Sequence, residues 1–252
     1  MKVTKPLYIL YQPYKWLIFL PFFILSIVFF ILLGMLILVF TDPNTTSRTT
    51  GVWWSRFSCF MTPIRVTVLG RDNIAKGQSY IIAANHSSLY DILVLYGFLG
   101  IDIKWAMKVE LRRIPLFGLA GKLGGNIYID RSDPSAAYAS LLAAKERLVN
   151  GVSLMMLPEG TRSRTGELLP FKSGAFILSS ELNLPVLPVS IIGTAKILPP
   201  DTLKLYPGRV TMIIHPPMHL DDFTGNIEDF KKATRDIIQK GIYQYGSASP
   251  SE

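Results

Sequence analysis

Cysteine and charge are both scarce in this chain of 252 residues. The single cysteine, Cys59, excludes an internal disulfide and any zinc cluster that is built on cysteine. Charged residues make up only 17 % of the chain and apolar residues 49 %, a composition that is neither that of a disordered protein nor typical of a soluble one. The length fits one sizeable α/β domain with an additional segment.

Familiar catalytic and binding motifs are also missing. The chain has no Gly-x-Ser-x-Gly sequence to present a nucleophilic serine, and the glycine-rich residues 118–125 lack the Gly-Lys-Ser/Thr ending of a phosphate-binding loop. His215 and His219 have a metal-like spacing, but the two prolines between them oppose a helical pair of zinc ligands. We therefore expect no metal and no organic cofactor.

The longest uncharged run covers residues 16–40 and is rich in Phe, Leu and Ile. As a helix it would be about 37 Å long, against a hydrocarbon core of about 30 Å. A cleaved signal peptide is disfavoured because no small-residue cleavage site follows the run. Residues 52–61 mix aromatic side chains with Arg56, which is typical of a helix lying in the membrane interface. We predict membrane-anchoring helices in residues 1–63, the main domain in 64–246 and a flexible tail in 247–252.

The net charge is +8. In a soluble protein this charge would suggest nucleic acid, but beside a membrane anchor it indicates attraction to anionic lipid and to phosphorylated substrates. We expect no nucleic acid partner, since arginines do not alternate with aromatics outside the anchor. Whether the first helix spans the bilayer or enters one leaflet stays open. We expect the anchor to lie in the inner (cytoplasmic) membrane, with the main domain facing the cytoplasm.

Short apolar strands alternate with helices from residue 64 onward, which predicts an α/β domain with a mostly parallel central sheet flanked by helices. The predicted strands are residues 65–69, 80–84, 102–107, 126–129, 153–157, 185–192 and 209–214. The predicted helices are residues 89–99, 116–123, 134–149, 174–182 and 227–245.

Chemically active side chains directly follow four of these strands, at His86, Lys108, Arg131 and residues 159–162. The carboxyl ends of parallel strands share one rim of the sheet, which is where ligands bind in such folds. Four strand ends that carry His, Lys, Arg and Glu-Gly-Thr-Arg are difficult to explain by surface solvation alone. The pattern predicts a binding or catalytic site at this rim.

His86 and Asp91 stand five residues apart at a predicted strand–helix junction. In a tight turn the Asp91 carboxylate can fold back onto one imidazole nitrogen, which leaves the other nitrogen free to accept a proton from a substrate hydroxyl. The alternative is a polar helix cap, in which Ser87 or Ser88 caps the helix and His86 only packs.

Four sequence blocks together resemble the glycerolipid acyltransferases, in particular the 1-acyl-sn-glycerol-3-phosphate (lysophosphatidic acid) acyltransferases. Each block alone is weakly specific, but the four occur in order, and the resemblance covers roughly residues 64–215. In the second block a tyrosine stands where phenylalanine is usual. The blocks are Asn85-His86 with Asp91, residues 125–131 (Gly-Asn-Ile-Tyr-Ile-Asp-Arg), residues 158–163 (Pro-Glu-Gly-Thr-Arg-Ser) and residues 184–189 (Leu-Pro-Val-Leu-Pro-Val).

The resemblance implies a glycerol-3-phosphate acyltransferase-like fold and transfer of a fatty acyl group from acyl-CoA, or from acyl-carrier protein, to the sn-2 hydroxyl of lysophosphatidic acid. The product would be phosphatidic acid, a phospholipid precursor. His86 would be the general base and Asp91 its orienting partner, with no covalent acyl-enzyme. Two alternatives stay open: another acceptor, such as glycerol 3-phosphate, another lysophospholipid or a lyso-aminolipid, and a non-catalytic lipid-binding protein on the same fold.

The resemblance also implies roles for other residues. Glu159 is expected either to hold Arg162 or to bond a substrate hydroxyl, and Asn85 to position the turn or to polarise the thioester carbonyl. The residues expected to bind the substrate phosphate are Lys108, Arg131, Glu159, Gly160, Thr161 and Arg162. Lys172, Ser173 and Gly174 open a helix that can take an anion such as a CoA phosphate. Pro185, Val186 and Pro188 are expected to shape the acyl channel or to form a plain buried edge strand.

Overall fold

The computed structural model of the chain describes residues 11–130, 133–142, 145, 148 and 150–246, which form a seven-stranded sheet and the helices around it. The strands are β1 (Ile64–Leu69), β2 (Ile81–Ala84), β3 (Asp102–Lys108), β4 (Ile127–Ile129), β5 (Val152–Met156), β6 (Val186–Ile192) and β7 (Gly208–Ile214). The α-helices in the described residues are α1 (Leu20–Leu38), α2 (Pro43–Thr46), α3 (Val52–Met61), α4 (Tyr90–Phe98), α5 (Phe117–Leu123), α6 (Pro134–Leu142), α7 (Gly174–Leu182), α8 (Thr194–Ile197) and α9 (Ile227–Gly246).

The strands lie in the order β1-β7-β6-β2-β5-β3-β4. Every neighbouring pair is parallel except β6 and β7. The prediction of a mostly parallel sheet flanked by helices is therefore confirmed. Because β1 and β7 run opposite to the other strands, the five strands β2 to β6 bring their carboxyl ends to one rim, and that rim carries the candidate site.

The central strand β2 is buried on both faces, as its uninterrupted apolar sequence predicts. Successive side chains of a strand point to opposite faces, so Ile82 packs with α4 and the N-terminal helices, whereas Ile81 packs with α7 and α9. On the second face, the rings of Phe176 and Phe230 meet edge to face with 5.5 Å between their centroids. Each such side chain contributes about 1.5–3 kcal/mol when fully buried.

The N-terminal segment contains one helical stretch, Tyr11–Leu38, that is long and apolar enough to cross a membrane by length and composition. Only 17 % of its most apolar part is buried, which distinguishes it from the core helix of a soluble domain. The second helix, α3, has ten residues and is too short to span. The polar stretch between α1 and α3 is mostly helical as well. Asp42 accepts hydrogen bonds from the backbone of Asn44 and Thr45, so a new helix begins there and runs on towards α3.

Candidate active site

His86 and Asp91 are in direct contact at the rim of the sheet. The imidazole Nδ1 lies 2.9 Å from Asp91 Oδ2, and Asp91 is completely buried. The same oxygen accepts hydrogen bonds from the backbone nitrogens of Ser87 at 2.6 Å and Ser88 at 2.8 Å. Since a carboxylate oxygen accepts, Nδ1 is the donor, and in the neutral imidazole Nε2 is then the unprotonated nitrogen. The polar-cap alternative is therefore incomplete, because Asp91 both caps the turn and orients the imidazole.

Thr194 completes the surroundings of the Asp91 carboxylate. It lies at the start of α8, directly after β6, and its hydroxyl donates a hydrogen bond to Asp91 Oδ1. Thr194 is fully buried, so no water competes for this contact. With hydrogen bonds on both oxygens, the Asp91 carboxylate has one fixed orientation, and the His86 ring is fixed with it.

Glu159 ties the loop after β5 to the loop after β2. Its two oxygens accept from the backbone nitrogens of His86 at 2.6 Å and Leu169 at 2.8 Å. The side chain is only 4 % exposed, and this burial raises the pKa of the carboxyl above its usual range, an effect that the two backbone hydrogen bonds oppose. The expected hold on Arg162 is not seen, because both oxygens accept from backbone nitrogens and Arg162 pairs with Asp201; a bond from Glu159 to a substrate hydroxyl stays a prediction.

Asn85 has a similar structural contact on the opposite side of β2. Its side-chain amide donates to the Ile191 carbonyl at 2.9 Å and accepts from the Ile191 nitrogen at 2.7 Å. Asn85 is buried, and both the nitrogen and the oxygen of its amide bond the backbone of β6. Of its two expected roles, positioning of the turn matches these contacts, and polarisation of a thioester carbonyl does not.

A cavity of about 430 Å³ opens beside His86. Leu157, Gly160 and Thr161 line it on the side of β5, and Lys108 lines it at the end of β3. Its far walls are apolar and come from two helices outside the sheet, with Phe30 and Met35 from α1 and Phe117 and Ala120 from α5 among them. The cavity therefore joins a polar end at the rim to an apolar end against the N-terminal helix.

Arg162 lines the same cavity as His86. The two loops are joined by a hydrogen bond from the Ser163 nitrogen to the His86 carbonyl at 2.8 Å. The Arg162 guanidinium pairs with Asp201 at 3.1 Å, and Arg164 pairs with the other oxygen of Asp201 at 2.8 Å. Two guanidinium groups thus pair with one carboxylate, and of these three residues Arg162 lines the cavity.

The other expected phosphate ligands have different positions. Lys108 is exposed and pairs with Glu110 at 2.7 Å. Gly160 has a positive φ of 73°, a backbone conformation that favours glycine, whereas the nearest neighbour of a side chain there is the flexible end of Lys172, which can move aside. Thr161 is exposed on the cavity wall. Arg131 lies outside the described residues.

Two sets of residues that were expected at the site do not line the cavity. Ser173 donates to Glu228 and accepts from Lys231, so it faces α9, and neither Lys172 nor Gly174 lines the cavity. Pro185, Val186 and Pro188 are buried and do not line the cavity either. Strand β6 lies between β2 and β7, so it is an interior strand and not the edge strand of the alternative prediction. The apolar wall comes instead from α1 and α5.

Thr194, Asp201 and the wall from α1 were not identified from the sequence. Thr194 comes two residues after the end of β6, so it has the same position as the other polar residues that follow strands, which is the signal that could have identified it. Asp201 and the α1 residues give no comparable signal, because they are distant in sequence and meet the site only through folding.

A family model described as Acyltransferase matches residues 65–192 of this chain. The chain belongs to this family. The matched region begins in β1 and ends at the last residue of β6, so it contains the His86–Asp91 pair and the Glu159–Arg162 loop. The family suggested by the sequence blocks is thereby confirmed.

Named members of the acyltransferase family resemble the chain well beyond these blocks. A 1-acyl-sn-glycerol-3-phosphate acyltransferase from Limnanthes douglasii is 34 % identical over 181 residues, which cover 71 % of this chain and 64 % of that protein. A protein of the same name from Saccharomyces cerevisiae is 33 % identical over 203 residues, covering 77 % of this chain and 67 % of that protein. The aligned stretch thus spans only about two thirds of these relatives.

A solved structure matches almost the whole fold. The crystal structure of the 1-acyl-sn-glycerophosphate (LPA) acyltransferase PlsC from Thermotoga maritima superposes with a TM-score of 0.80 at 28 % sequence identity. The match covers 94 % of this chain and 97 % of that one. It therefore includes most of the N-terminal helices as well as the sheet.

Proposed function

We propose that this protein transfers a fatty acyl group from acyl-CoA, or from acyl-carrier protein, to the sn-2 hydroxyl of lysophosphatidic acid, giving phosphatidic acid for phospholipid synthesis. The observation that carries the proposal is the His86–Asp91 pair at the mouth of a cavity that is polar at the rim and apolar towards α1. Relatives named as 1-acyl-sn-glycerol-3-phosphate acyltransferases support the choice of acceptor.

The reaction needs a base for a poorly nucleophilic hydroxyl. Nε2 of His86 takes the hydroxyl proton as the oxygen attacks the thioester carbonyl, while Asp91 stabilises the imidazolium that forms. The carbon–sulfur bond then breaks, and the leaving thiolate takes the proton back from His86. The products are an ester and a free thiol. General base catalysis of this kind contributes about 10²- to 10⁴-fold.

The acceptor carries a phosphate and a long acyl chain, and the cavity offers a counterpart for each. Arg162 provides a planar fork for phosphate oxygens, and Lys108 adds positive charge at the same end. The apolar walls from α1 and α5 suit an acyl chain. A substrate of this class resides in the bilayer, so the candidate membrane helix beside the cavity supports action at a membrane. We propose that the main domain faces the cytoplasm.

The test is release of free CoA from acyl-CoA by the purified full chain, with lysophosphatidic acid as acceptor. His86→Gln is expected to abolish release above background, while circular dichroism and membrane association stay as in the native chain. His219→Gln, which removes an exposed histidine outside the cavity, is the matched control and should keep full turnover.

Two results would overturn this proposal. Near-native turnover in the His86→Gln variant would exclude the imidazole as base. The second result comes from a panel of acceptors assayed with one donor. If glycerol 3-phosphate or another lysophospholipid gives a higher kcat/KM than lysophosphatidic acid, that compound is the acceptor instead.

A further inference from the structure

An exposed apolar cluster lies in residues 112–119, outside the N-terminal helices. Nine large apolar side chains are exposed in the described part of the chain after residue 63, and four of them belong to this short segment. They are Ile114 (48 % exposed), Leu116 (41 %), Phe117 (36 %) and Leu119 (42 %). Single exposed apolar residues are ordinary on protein surfaces, whereas a contiguous group marks a contact with lipid or with another protein.

The exposure does not come from a loose loop. The Gly118 nitrogen donates to the Ile114 carbonyl at 2.8 Å, and the Tyr128 hydroxyl donates to the Gly118 carbonyl at 2.9 Å, which fixes the segment to β4. Leu116 has a positive φ of 61°, a costly conformation for a bulky residue. The fold therefore holds these apolar side chains outward.

Positive charge accompanies the apolar side chains. Arg112 and Arg113 come directly before Ile114, and Lys122 follows one turn into α5; all three are exposed. Basic residues next to exposed apolar ones are the pattern of a segment that lies at an anionic lipid surface. The charge identifies a bilayer as a better partner than an apolar protein surface.

The segment continues the surface of the candidate membrane helix. Helix α5 packs on α1, and Phe117 of α5 lines the same cavity as Phe30 and Met35 of α1. Helix α1 is part of the helical stretch Tyr11–Leu38, which within the described residues is long and apolar enough to cross a membrane. A segment beside it is therefore held close to the bilayer surface.

We propose that residues 112–119 are a second membrane-docking element, which places Leu116, Phe117 and Leu119 in the boundary between headgroups and acyl chains of an anionic leaflet. Arg112 and Arg113 bind lipid phosphates in this arrangement. The element holds the main domain against the membrane from a position 74 residues after the end of α1, independently of the reaction assigned to the site.

The test uses one fluorescent label on the full chain. Leu119→Cys is labelled with a nitrobenzoxadiazole dye and reconstituted into vesicles of phosphatidylcholine and phosphatidylglycerol. Tyr243→Cys on α9, at 68 % exposure, is the matched control, and the chain without a new cysteine measures background from Cys59, which is 1 % exposed. We expect lipids with a nitroxide on the acyl chain to quench the label at position 119 about threefold or more strongly than the label at position 243. Aqueous iodide should quench the label at position 243 more strongly than the label at position 119.

A second measurement tests the charge. The double substitution Arg112→Gln and Arg113→Gln is expected to reduce lipid quenching at 119, with about a fivefold loss in partition for each arginine. Vesicles of phosphatidylcholine alone should reduce quenching of the unsubstituted segment in the same way. The double substitution Lys232→Gln and Lys240→Gln removes the same charge from exposed positions on α9 and should leave lipid quenching at position 119 unchanged.

Three outcomes would overturn the proposal. Free access of iodide to position 119 without lipid quenching would mean that the segment faces water. Protection from iodide without lipid quenching would mean that protein covers it, as in contact with a second copy. Equal quenching in neutral and anionic vesicles would remove the role of the arginines. His86→Gln should not change any of these signals, so failure of the reaction and failure of the docking element are distinguishable.

Discussion

Glu159 Oε1 accepts a hydrogen bond from the His86 backbone nitrogen at 2.6 Å, so a buried carboxylate from one strand end sets the position of the proposed base at another. The second oxygen, bonded to Leu169, holds the loop that follows Arg162. Glu159 thus connects the loop that carries His86 to the loop that carries Arg162 without contacting either side chain. The geometry of the site thus depends on one buried acid that accepts hydrogen bonds from two loops.

Glu159→Gln should separate this structural role from a role in binding substrate. The amide keeps one acceptor but turns its NH₂ group towards a backbone N–H, and an unmade buried hydrogen bond costs about 1–3 kcal/mol. We expect lower thermal stability and a kcat that falls about tenfold or more, since each 1.4 kcal/mol lost from the transition state is tenfold in rate. Glu167→Gln, an exposed acid on the same loop, is the control. Native kcat and stability in Glu159→Gln would contradict the role given to Glu159.

Thr194→Val should lower turnover without weakening acceptor binding. Valine fills the same volume but removes the hydroxyl that donates to Asp91, and a hydrogen bond to a charged group contributes about 1.5–3 kcal/mol. We expect kcat to fall about tenfold with KM for the acceptor unchanged. Thr234→Val removes an equally buried hydroxyl on α9, where it bonds the Phe230 carbonyl, and should affect stability alone. Equal kcat values for the two variants would show that Thr194 does not orient the pair.

Asp201→Asn should improve binding of the phosphorylated acceptor. The Asp201 carboxylate occupies the guanidinium forks of Arg162 and Arg164, so an incoming phosphate must compete with it. The carboxylate is about half exposed, and such ion pairs contribute only about 0–1 kcal/mol, which limits the expected fall in KM to about fivefold. Arg162→Ala should raise the same KM. An increase of KM in Asp201→Asn would mean instead that Asp201 holds Arg162 in its binding position.

Stability should depend on pH through His215. Burial lowers the pKa of this imidazole to about 4 from its ordinary value of 6.5, and Nε2 lies 2.8 Å from the Ser190 hydroxyl. Between these values the unfolded chain binds more protons than the folded one, so stability falls as pH falls, by at most about 1.4 kcal/mol per pH unit. Thermal unfolding in detergent from about pH 7 to about pH 5 should show this slope. His215→Gln, which keeps a hydrogen-bond donor for Ser190, should flatten the dependence of stability on pH. An unchanged slope in this variant would mean that other groups cause the pH dependence.

The strands and the longer helices of the main domain followed from local patterns, but the short helices α2 and α8 did not. The apolar run at β2 and the alternation after it fixed an α/β class, and His86, Lys108 and Glu159 were found because each follows a strand. The contact with Arg162 that was expected of Glu159 is not seen, and Pro185 and Pro188 do not line the cavity. A sequence pattern cannot tell whether a carboxylate faces a substrate or a backbone nitrogen in a neighbouring loop, because both positions follow a strand in the same way.

The amino-acid sequence by itself determined the class of the protein: the apolar N-terminal run, the parallel strands and the blocks that carry its family. These are encoded in neighbouring residues, through hydrophobic periodicity and turn chemistry. Only the tertiary structure decided which groups complete the site. Thr194 bonds Asp91, and Asp201 lies between Arg162 and Arg164, across chain separations that no local pattern spans. Such contacts form only when the strands β2, β5 and β6 pair in their final register, because that pairing brings their carboxyl ends to one rim.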